Sequence, residues 1–142
     1  MGANGDIRIM LVTTRGAGRW IVPKGWPIAN LSPREVAARE AYEEAGLVGV
    51  MVGKRAVGRF TYEKSGGGRT LRCEVKLFAM RIHHQLPDWP ERGERETRWF
   101  APEAAAAAVQ QAALAALLLA LPDSVLEIGS LIQTNQARRL AY

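Results

Sequence analysis

Apolar side chains occur along this chain in short runs punctuated by glycine and proline, and the spacing within each run predicts an element. IRIMLVTTR, Ile7 to Arg15, carries enough β-branched and aliphatic residues for a strand. Gly16-Ala17-Gly18 turns it into a second short apolar segment, RWIV, so the two predict a hairpin or bent strand pair. Pro23 and Gly25 then interrupt regular structure. Ser32-Pro33 supplies the N-cap and first-turn proline of a helix, Glu35 completes a capping box, and Gly46 ends the helix. Within it Val36, Ala37, Ala41 and Ala45 form an apolar stripe, while Glu40, Glu43 and Glu44 project from a neighbouring face at i, i+3 and i+4.

Val50 to Tyr62 and Leu71 to Ile82 read as two longer strands around the turn KSGGG, Lys64 to Gly68, which predicts a broad hairpin. The segment His83 to Glu94 is polar and broken by prolines, and TRWF, Thr97 to Phe100, resumes strand character. From Pro102, APEAAAAAVQQAALAALLLALP predicts a helical region so apolar that it must be covered, with Pro122 as its end. The tail to Tyr142 is ambiguous, with LEIGSLI as a short packed element. Strands interleaved with two helical regions place the chain in the α/β class, and residues 1–142 show no repeat or linker that would divide one domain.

Composition narrows the partners. Hydrophobic residues make up 48% and charged residues 23%, as in an ordinary soluble globular protein. Nineteen basic residues against 14 acidic ones give a formal charge of +5, which favours a polyanionic partner. Only Lys24, Lys54, Lys64 and Lys76 are lysines; the rest are arginines, the side chain suited to bidentate phosphate contacts. Cys73 stands alone and fits a buried thiol in a reducing cytoplasm. No basic segment leads into an apolar run at the N-terminus, and Ala112 to Leu121 is too short to span a bilayer, so a cytoplasmic protein without a membrane partner is expected. There is no zinc spacing, basic stripe or glycine-aromatic RNA motif, which argues against nucleic acid as the main partner.

The chemical question lies in REAYEEAG. Like charges four apart on a helix repel by about 0.2–0.5 kcal/mol. A solvent-facing glutamate surface tolerates that, with Arg39 pairing Glu35 or Glu43. Alternatively the carboxylates hold divalent cations against a phosphorylated ligand, since magnesium binds through a few carboxylates plus waters and substrate phosphates. At these residues the chain resembles the signature of the Nudix hydrolases. That signature is a glycine, five residues, a glutamate, seven residues, then arginine-glutamate-apolar-any-glutamate-glutamate-any-glycine-apolar. Gly25, Arg39, Glu40, Ala41, Glu43, Glu44, Gly46 and Leu47 match it at its spacing, and Leu31 stands where the family has its first glutamate. RWIVPKG, VGRFTYEK, LPDW and RWF extend the likeness toward the branch that hydrolyses diphosphoinositol polyphosphates and dinucleoside polyphosphates.

The resemblance implies an α/β/α sandwich with a mixed sheet. The family usually opens with a further strand, and only MGANGD precedes the one matched here, so that strand is expected to be absent or its edge supplied by a partner. With the apolar stretch from Ala104 to Leu121, this predicts a homodimer. The implied activity is Mg²⁺-dependent hydrolysis of a diphosphate linkage, with Mn²⁺ as an alternative cation. Glu40, Glu43 and Glu44 would hold the cations with the backbone carbonyl of Lys24, Arg39 would join them as a catalytic residue, and Glu44 would lie nearest the attacking water. Leu31 can neither bind metal nor pair with Arg39, and it also leaves open a catalytically silent scaffold.

The substrate would be a phosphorylated small molecule gripped by Arg15 and Arg19 at the first turn and by Arg69 and Arg72 at the glycine-rich one, with Arg98 as a further candidate. ERGERET, Glu91 to Thr97, is acidic where the inositol branch is strongly basic, which favours a dinucleoside polyphosphate over a diphosphoinositol polyphosphate. Trp26 or Tyr62 could stack a base. Glu91 and Glu94 lie where some family members place a general base, although surface charge accounts for them equally well. His83 and His84 lack a metal-binding repeat and read as surface residues at a strand end.

Overall fold

A computed structural model describes residues 8–66, 68–124 and 130–139; the side chains of 64–66, 69, 71, 122–124 and 130–139 lie outside that description. In chain order the elements are β1 (Ile9–Thr13), β2 (Trp20–Ile21), α1 (Pro33–Ala45), β3 (Leu47–Val52), β4 (Gly58–Gly66), β5 (Arg69–Gln85), β6 (Thr97–Phe100), α2 (Pro102–Ala108), α3 (Ala112–Ser124) and β7 (Ser130–Arg139).

Local chemistry sets the ends of α1. The Ser32 hydroxyl accepts from the Glu35 N–H at 3.1 Å, and the Glu35 carboxylate accepts from the Ser32 N–H at 2.8 Å, the expected capping box. Those bonds hold the Glu35 carboxyl below its usual range. At the other end Gly46 takes the left-handed conformation with φ 68°, and the Trp89 ring lies where its Cβ would be. The sequence stripe is buried as expected, with Val36, Ala37, Ala41 and Ala45 all in the core. Glu44 is buried beside them.

Two sheets carry the helices. One has the order β2-β1-β6, with β1 antiparallel to both neighbours. The other is built on the long strand β5, which pairs antiparallel with β4 through Arg69–Leu77, with β3 through Ala79–Gln85, and with β7 through Leu71–Met80. α1 packs on β1, β3, β5 and β7; α2 lies on β1 and β6, and α3 on α2 and β4. The result is the α/β architecture expected of an α/β/α sandwich. Every side chain of β1 is buried, since neither face of the strand meets solvent. One hydrophobic cluster joins β1, α1, the β3–β5 sheet and Leu114, Leu118 and Leu121 of α3.

Several element boundaries differ from the sequence expectation. The strand expected over Val50 to Tyr62 is two strands, β3 and β4, separated at residues 53–57; Gly53 has φ 74°, which ends the first. The helical region from Pro102 is two helices. Val109 is extended, with φ −82° and ψ 153°, and bridges to Trp20, so pairing with β2 outweighs the helix propensity of the alanines around it. Pro122 falls inside the last turn of α3, where a proline removes one bond without stopping the helix. Most of the LEIGSLI segment, residues 126–129, lies outside the described residues; from Ser130 the ambiguous tail is a strand, β7, which occupies the edge of β5 opposite β3 and β4. Residues 1–7, where an additional first strand would begin, lie outside the described residues.

Gly46 meets two constraints at once, a positive φ and the Trp89 ring. Gly46→Ala should therefore lower unfolding stability by roughly 1–3 kcal/mol, read from urea unfolding of the purified protein. An unchanged midpoint would show that neither constraint counts.

Candidate active site

The last turn of α1 leaves carbonyl groups with no partner inside the helix, and the segment after β5 supplies them. The Gln85 side chain donates to the Ala45 carbonyl at 2.9 Å, the Leu86 N–H to Gly46 at 2.8 Å, and the Glu91 N–H to Glu43 at 3.0 Å. Trp89 covers Gly46 from the same segment. The loop is tied at its far end by Thr13, whose N–H donates to the Glu96 carbonyl at 3.0 Å and whose hydroxyl accepts from the Glu96 N–H at 2.9 Å. Glu91 is thereby delivered to the side of α1 that carries Glu40 and Glu44, and a carboxylate oxygen from each of the three lies within 4.8 Å of the others.

Close approach on the opposite side depends on Gly25. A Cβ there would overlap the Glu40 carboxyl end, so with any other residue the Glu40 side chain would have to move from its place against the loop before α1. This is a local reason for the glycine that opens the sequence signature. Lys24, its neighbour, faces the same cleft with its ammonium 5.8 Å from the centre of the Tyr62 ring.

The electrostatics are those of carboxylates taken out of water. Glu44 is only 4% exposed. Burial, followed by a hydrogen bond shared with Glu40, pushes its carboxyl up to about 9. Burial also raises Glu40. Glu91 behaves differently. Burial pushes it upward, but the Arg95 Nε donates to its carboxylate at 2.9 Å and Arg15 at 2.9 Å, and the net direction is downward. Arg95 is itself nearly buried and also donates to the Thr13 carbonyl at 3.2 Å, so its guanidinium is fixed at the end of β1. Arg15 reaches Glu94 as well, at 3.1 Å.

A cleft of about 930 Å³ opens over these groups. Glu40, Glu44, Glu63 and Glu91 line it together with Arg15, Arg19, Lys24 and Arg95, and Arg15 and Arg95 are bonded to Glu91. The hairpin that bears Arg15 and Arg19 is closed at Thr14, whose N–H donates to the Arg19 carbonyl, whose carbonyl accepts from the Gly18 N–H and whose hydroxyl accepts from the Arg19 N–H. Trp26, 42% exposed, and Tyr62 complete an aromatic side. Three carboxylates converging in a cleft with a glycine-opened wall form an oxygen donor set suited to a hard divalent cation. The guanidinium and ammonium groups that line the same cleft suit the phosphate oxygens of a ligand.

The remaining expected site residues fall elsewhere. Glu43 is outside the three-carboxylate group; its carboxylate accepts from the Arg39 Nε at 3.3 Å, an exposed pair on the helix surface. This selects Glu43, rather than Glu35, as the partner of Arg39. Arg72 is exposed on β5 opposite Glu63 and is not among the cleft residues. Arg69 belongs to the same strand, and its side chain lies outside the described residues. Arg98 lies over the Trp20 ring at 5.1 Å instead of lining the cleft. His83 and His84 are exposed near the end of β5. Arg95, Gln110 and Gln111 were not singled out in the sequence, yet all three line the cleft. The i, i+4 spacing of Glu91 and Arg95 was the available signal for the first.

The fold and this glutamate geometry are those of a Nudix domain, and comparison with known proteins agrees: the NUDIX domain model matches residues 2–120. The chain belongs to the Nudix family. It is 30% identical over 100 residues to Nudix hydrolase 12, mitochondrial, of Arabidopsis thaliana, covering 66% of this chain and 48% of that protein. It is 31% identical over 107 residues to diphosphoinositol polyphosphate phosphohydrolase 3-alpha of Mus musculus, covering 74% of this chain and 61% of that protein. The chain spans about half the length of the plant relatives it matches, 48% and 49% for two of them. The carboxylate cluster can coordinate a divalent metal ion and is consistent with phosphoanhydride hydrolysis in general. Among the described residues no helix is long and apolar enough to cross a membrane.

The buried carboxyl gives a pH prediction. Glu44 binds its proton more tightly folded than unfolded, so the native state holds more protons between its ordinary range and about 9, and stability must fall as pH rises through that window. Cation binding needs the ionised form, so Mg²⁺ should stabilise the protein more at the alkaline end. Melting temperatures in EDTA should drop between pH 5.5 and 8.5, and the increment from added Mg²⁺ should grow. A metal-free melting temperature that rises steadily over this range would contradict the assignment of a buried, proton-sharing pair.

Proposed function

We propose that this domain hydrolyses a diphosphate linkage in a nucleoside-polyphosphate-type substrate, preferably a dinucleoside polyphosphate, with Mg²⁺ as cofactor and Mn²⁺ as an alternative. The observation that carries the reading is the convergence of Glu40, Glu44 and Glu91 in a cleft that Arg15, Arg19 and Lys24 also line. Glu43 remains in the proposed ligand set with the Lys24 carbonyl: its ion pair with Arg39 is exposed, of a kind worth about 0–1 kcal/mol, and can be exchanged for a cation. When bound, a divalent cation supplies Lewis-acid polarisation of phosphoryl oxygens and a more acidic water.

The chain's own residues do the rest. Arg15, Arg19 and Lys24 hold the phosphate oxygens and meet the charge that grows on them as the linkage breaks. Arg95, braced by Thr13, keeps Glu91 ionised and fixed in place. Glu44, the deepest of the carboxylates, is the one assigned beside the attacking water, and its burial restricts bulk solvent there. Trp26 and Tyr62 offer aromatic faces to a nucleoside end.

The preference for a dinucleoside polyphosphate is supported by charge. Glu91, Glu94 and Glu96 lie in the segment beside the cleft, and Arg15 is already shared between two of them. A linear polyphosphate needs neutralising along one line, whereas a fully phosphorylated inositol needs it around a whole ring. The likeness to the mouse diphosphoinositol polyphosphate phosphohydrolase keeps the second substrate as the alternative. A cytoplasmic setting is supported by the single, buried, free Cys73. A homodimer is supported by Leu119, which α3 leaves largely exposed. A mass of 15.6 kDa by light scattering at micromolar protein would remove the dimer.

Glu44→Gln should lower kcat by at least about 10²-fold at saturating Mg²⁺, the usual loss when one group acting in the transition state is removed; wild-type turnover would defeat the assignment. Phosphorus NMR of parallel digests should show a higher kcat/KM for a dinucleoside polyphosphate than for a diphosphoinositol polyphosphate. The reverse order would favour the alternative, and hydrolysis of neither, with Mg²⁺ bound, would favour a silent scaffold.

A further inference from the structure

Near the start of α1 lies a second hollow, of about 460 Å³, which shares no lining residue with the cleft over Glu40 and Glu44. Its floor includes the buried Phe78 and the half-buried Ala56, and Ser32-Pro33 brings the N-terminal end of α1 to its rim. Every charged residue that lines it among the described residues is basic: Arg34, Lys54, Arg55, Arg59 and Lys76.

These cations come from separate parts of the chain, and carboxylates do little to neutralise them. Arg34 is held by backbone carbonyls, its Nε donating to Gly53 at 2.9 Å and its Nη2 to Met51 at 3.2 Å. That fixes the guanidinium without removing its charge. Arg59 has its carboxylate partner, Glu74, at 3.9 Å, the outer edge of an ion pair. No ion pair to Lys54, Arg55 or Lys76 is found among the described residues. The nearest acid in sequence, Glu35, is turned onto the Ser32 N–H by the capping box. Five like charges around one hollow repel each other, and an anion that enters it relieves that repulsion.

We propose that this hollow binds an oligophosphate, a ligand with two or more consecutive phosphate groups, at a site separate from the hydrolytic cleft. The volume lies within the range of roughly 300–1,000 Å³ that small-molecule sites occupy. One phosphate group is satisfied by two or three donors, so five cations contributed by α1, the β3–β4 connection, β4 and β5 match a chain of phosphates better than a single one. The positive end of the α1 dipole adds to the same field. Cations gathered around one hollow, rather than along a basic stripe running across the surface, favour a small oligophosphate over the backbone of a nucleic acid. The inference goes beyond the hydrolytic reading and does not require it.

Calorimetric titration with sodium tripolyphosphate in EDTA, at about 150 mM salt so that long-range attraction is screened, tests it without metal or turnover. Lys54 and Arg55 are exposed in the connection between β3 and β4, so the double variant Lys54→Ser/Arg55→Ser should keep the fold, as checked by circular dichroism. It should bind tripolyphosphate at least about tenfold more weakly than wild type, whereas Arg81→Ser, which removes an exposed arginine of β5 that lines neither the hollow nor the cleft, should change the Kd less than about twofold. No wild-type binding, no effect of the double variant, or an equal loss with Arg81→Ser would overturn the site. Orthophosphate binding as tightly as tripolyphosphate would overturn the requirement for consecutive phosphates. Tighter binding of a ten-nucleotide oligothymidylate, lost in the same double variant, would replace the small oligophosphate with a nucleic-acid backbone. None of these outcomes bears on whether the Glu40–Glu44–Glu91 cleft hydrolyses a diphosphate.

Discussion

The carbonyl groups at the C-terminal turn of α1 need partners from outside the helix, and the way they are met organises the rest of the molecule. Gln85, Leu86 and Glu91 each give one donor to that turn, and Trp89 closes over Gly46. A segment that is polar and interrupted by prolines thus becomes an ordered cap. Because the same segment is pinned at its other end to Thr13 of β1, it ties α1 to both sheets. Glu91 reaches Glu40 and Glu44 as a consequence of capping, since its own N–H is one of the three donors.

That arrangement places three carboxylates in partial or near-complete burial, which is costly without compensation. Two kinds of compensation are present. Arg15 and Arg95 neutralise Glu91, while burial pushes the Glu40 and Glu44 carboxyls upward, towards their neutral forms. A site of this kind gives up stability in the metal-free state for a preorganised set of oxygen donors, a common exchange at functional sites. The surrounding framework can bear it: β1 is buried throughout, and the small residues Ala37, Ala41 and Ala45 let α1 pack closely against the sheets.

The two ends of α1 also differ in electrostatic character. Its C-terminal half faces the cleft with acidic groups matched by arginines, whereas its N-terminal end borders a hollow lined only by bases among the described charged residues. The formal charge of +5 is therefore not spread evenly.

The amino-acid sequence by itself determined those features that depend on neighbours a few residues apart. The capping box at Ser32 and Glu35, the stop at Gly46, the buried stripe of α1 and the i, i+4 relation of Glu40 and Glu44 follow from helix geometry and side-chain chemistry alone. The family signature was legible for the same reason, being confined to one loop and one helix. Tertiary structure decided what depends on distant pairing. Val109 leaves the helical pattern because Trp20 pairs with it, and the tail forms β7 because β5 has a free edge to offer. It also separated Glu43 from the three-carboxylate group and brought in Glu91 from 47 residues beyond Glu44. A charge on a loop carries no mark in the sequence of which helix it will meet; that is settled by hydrogen bonds to Glu43, Ala45 and Gly46, which exist only once the sheets have brought the loop to the end of α1.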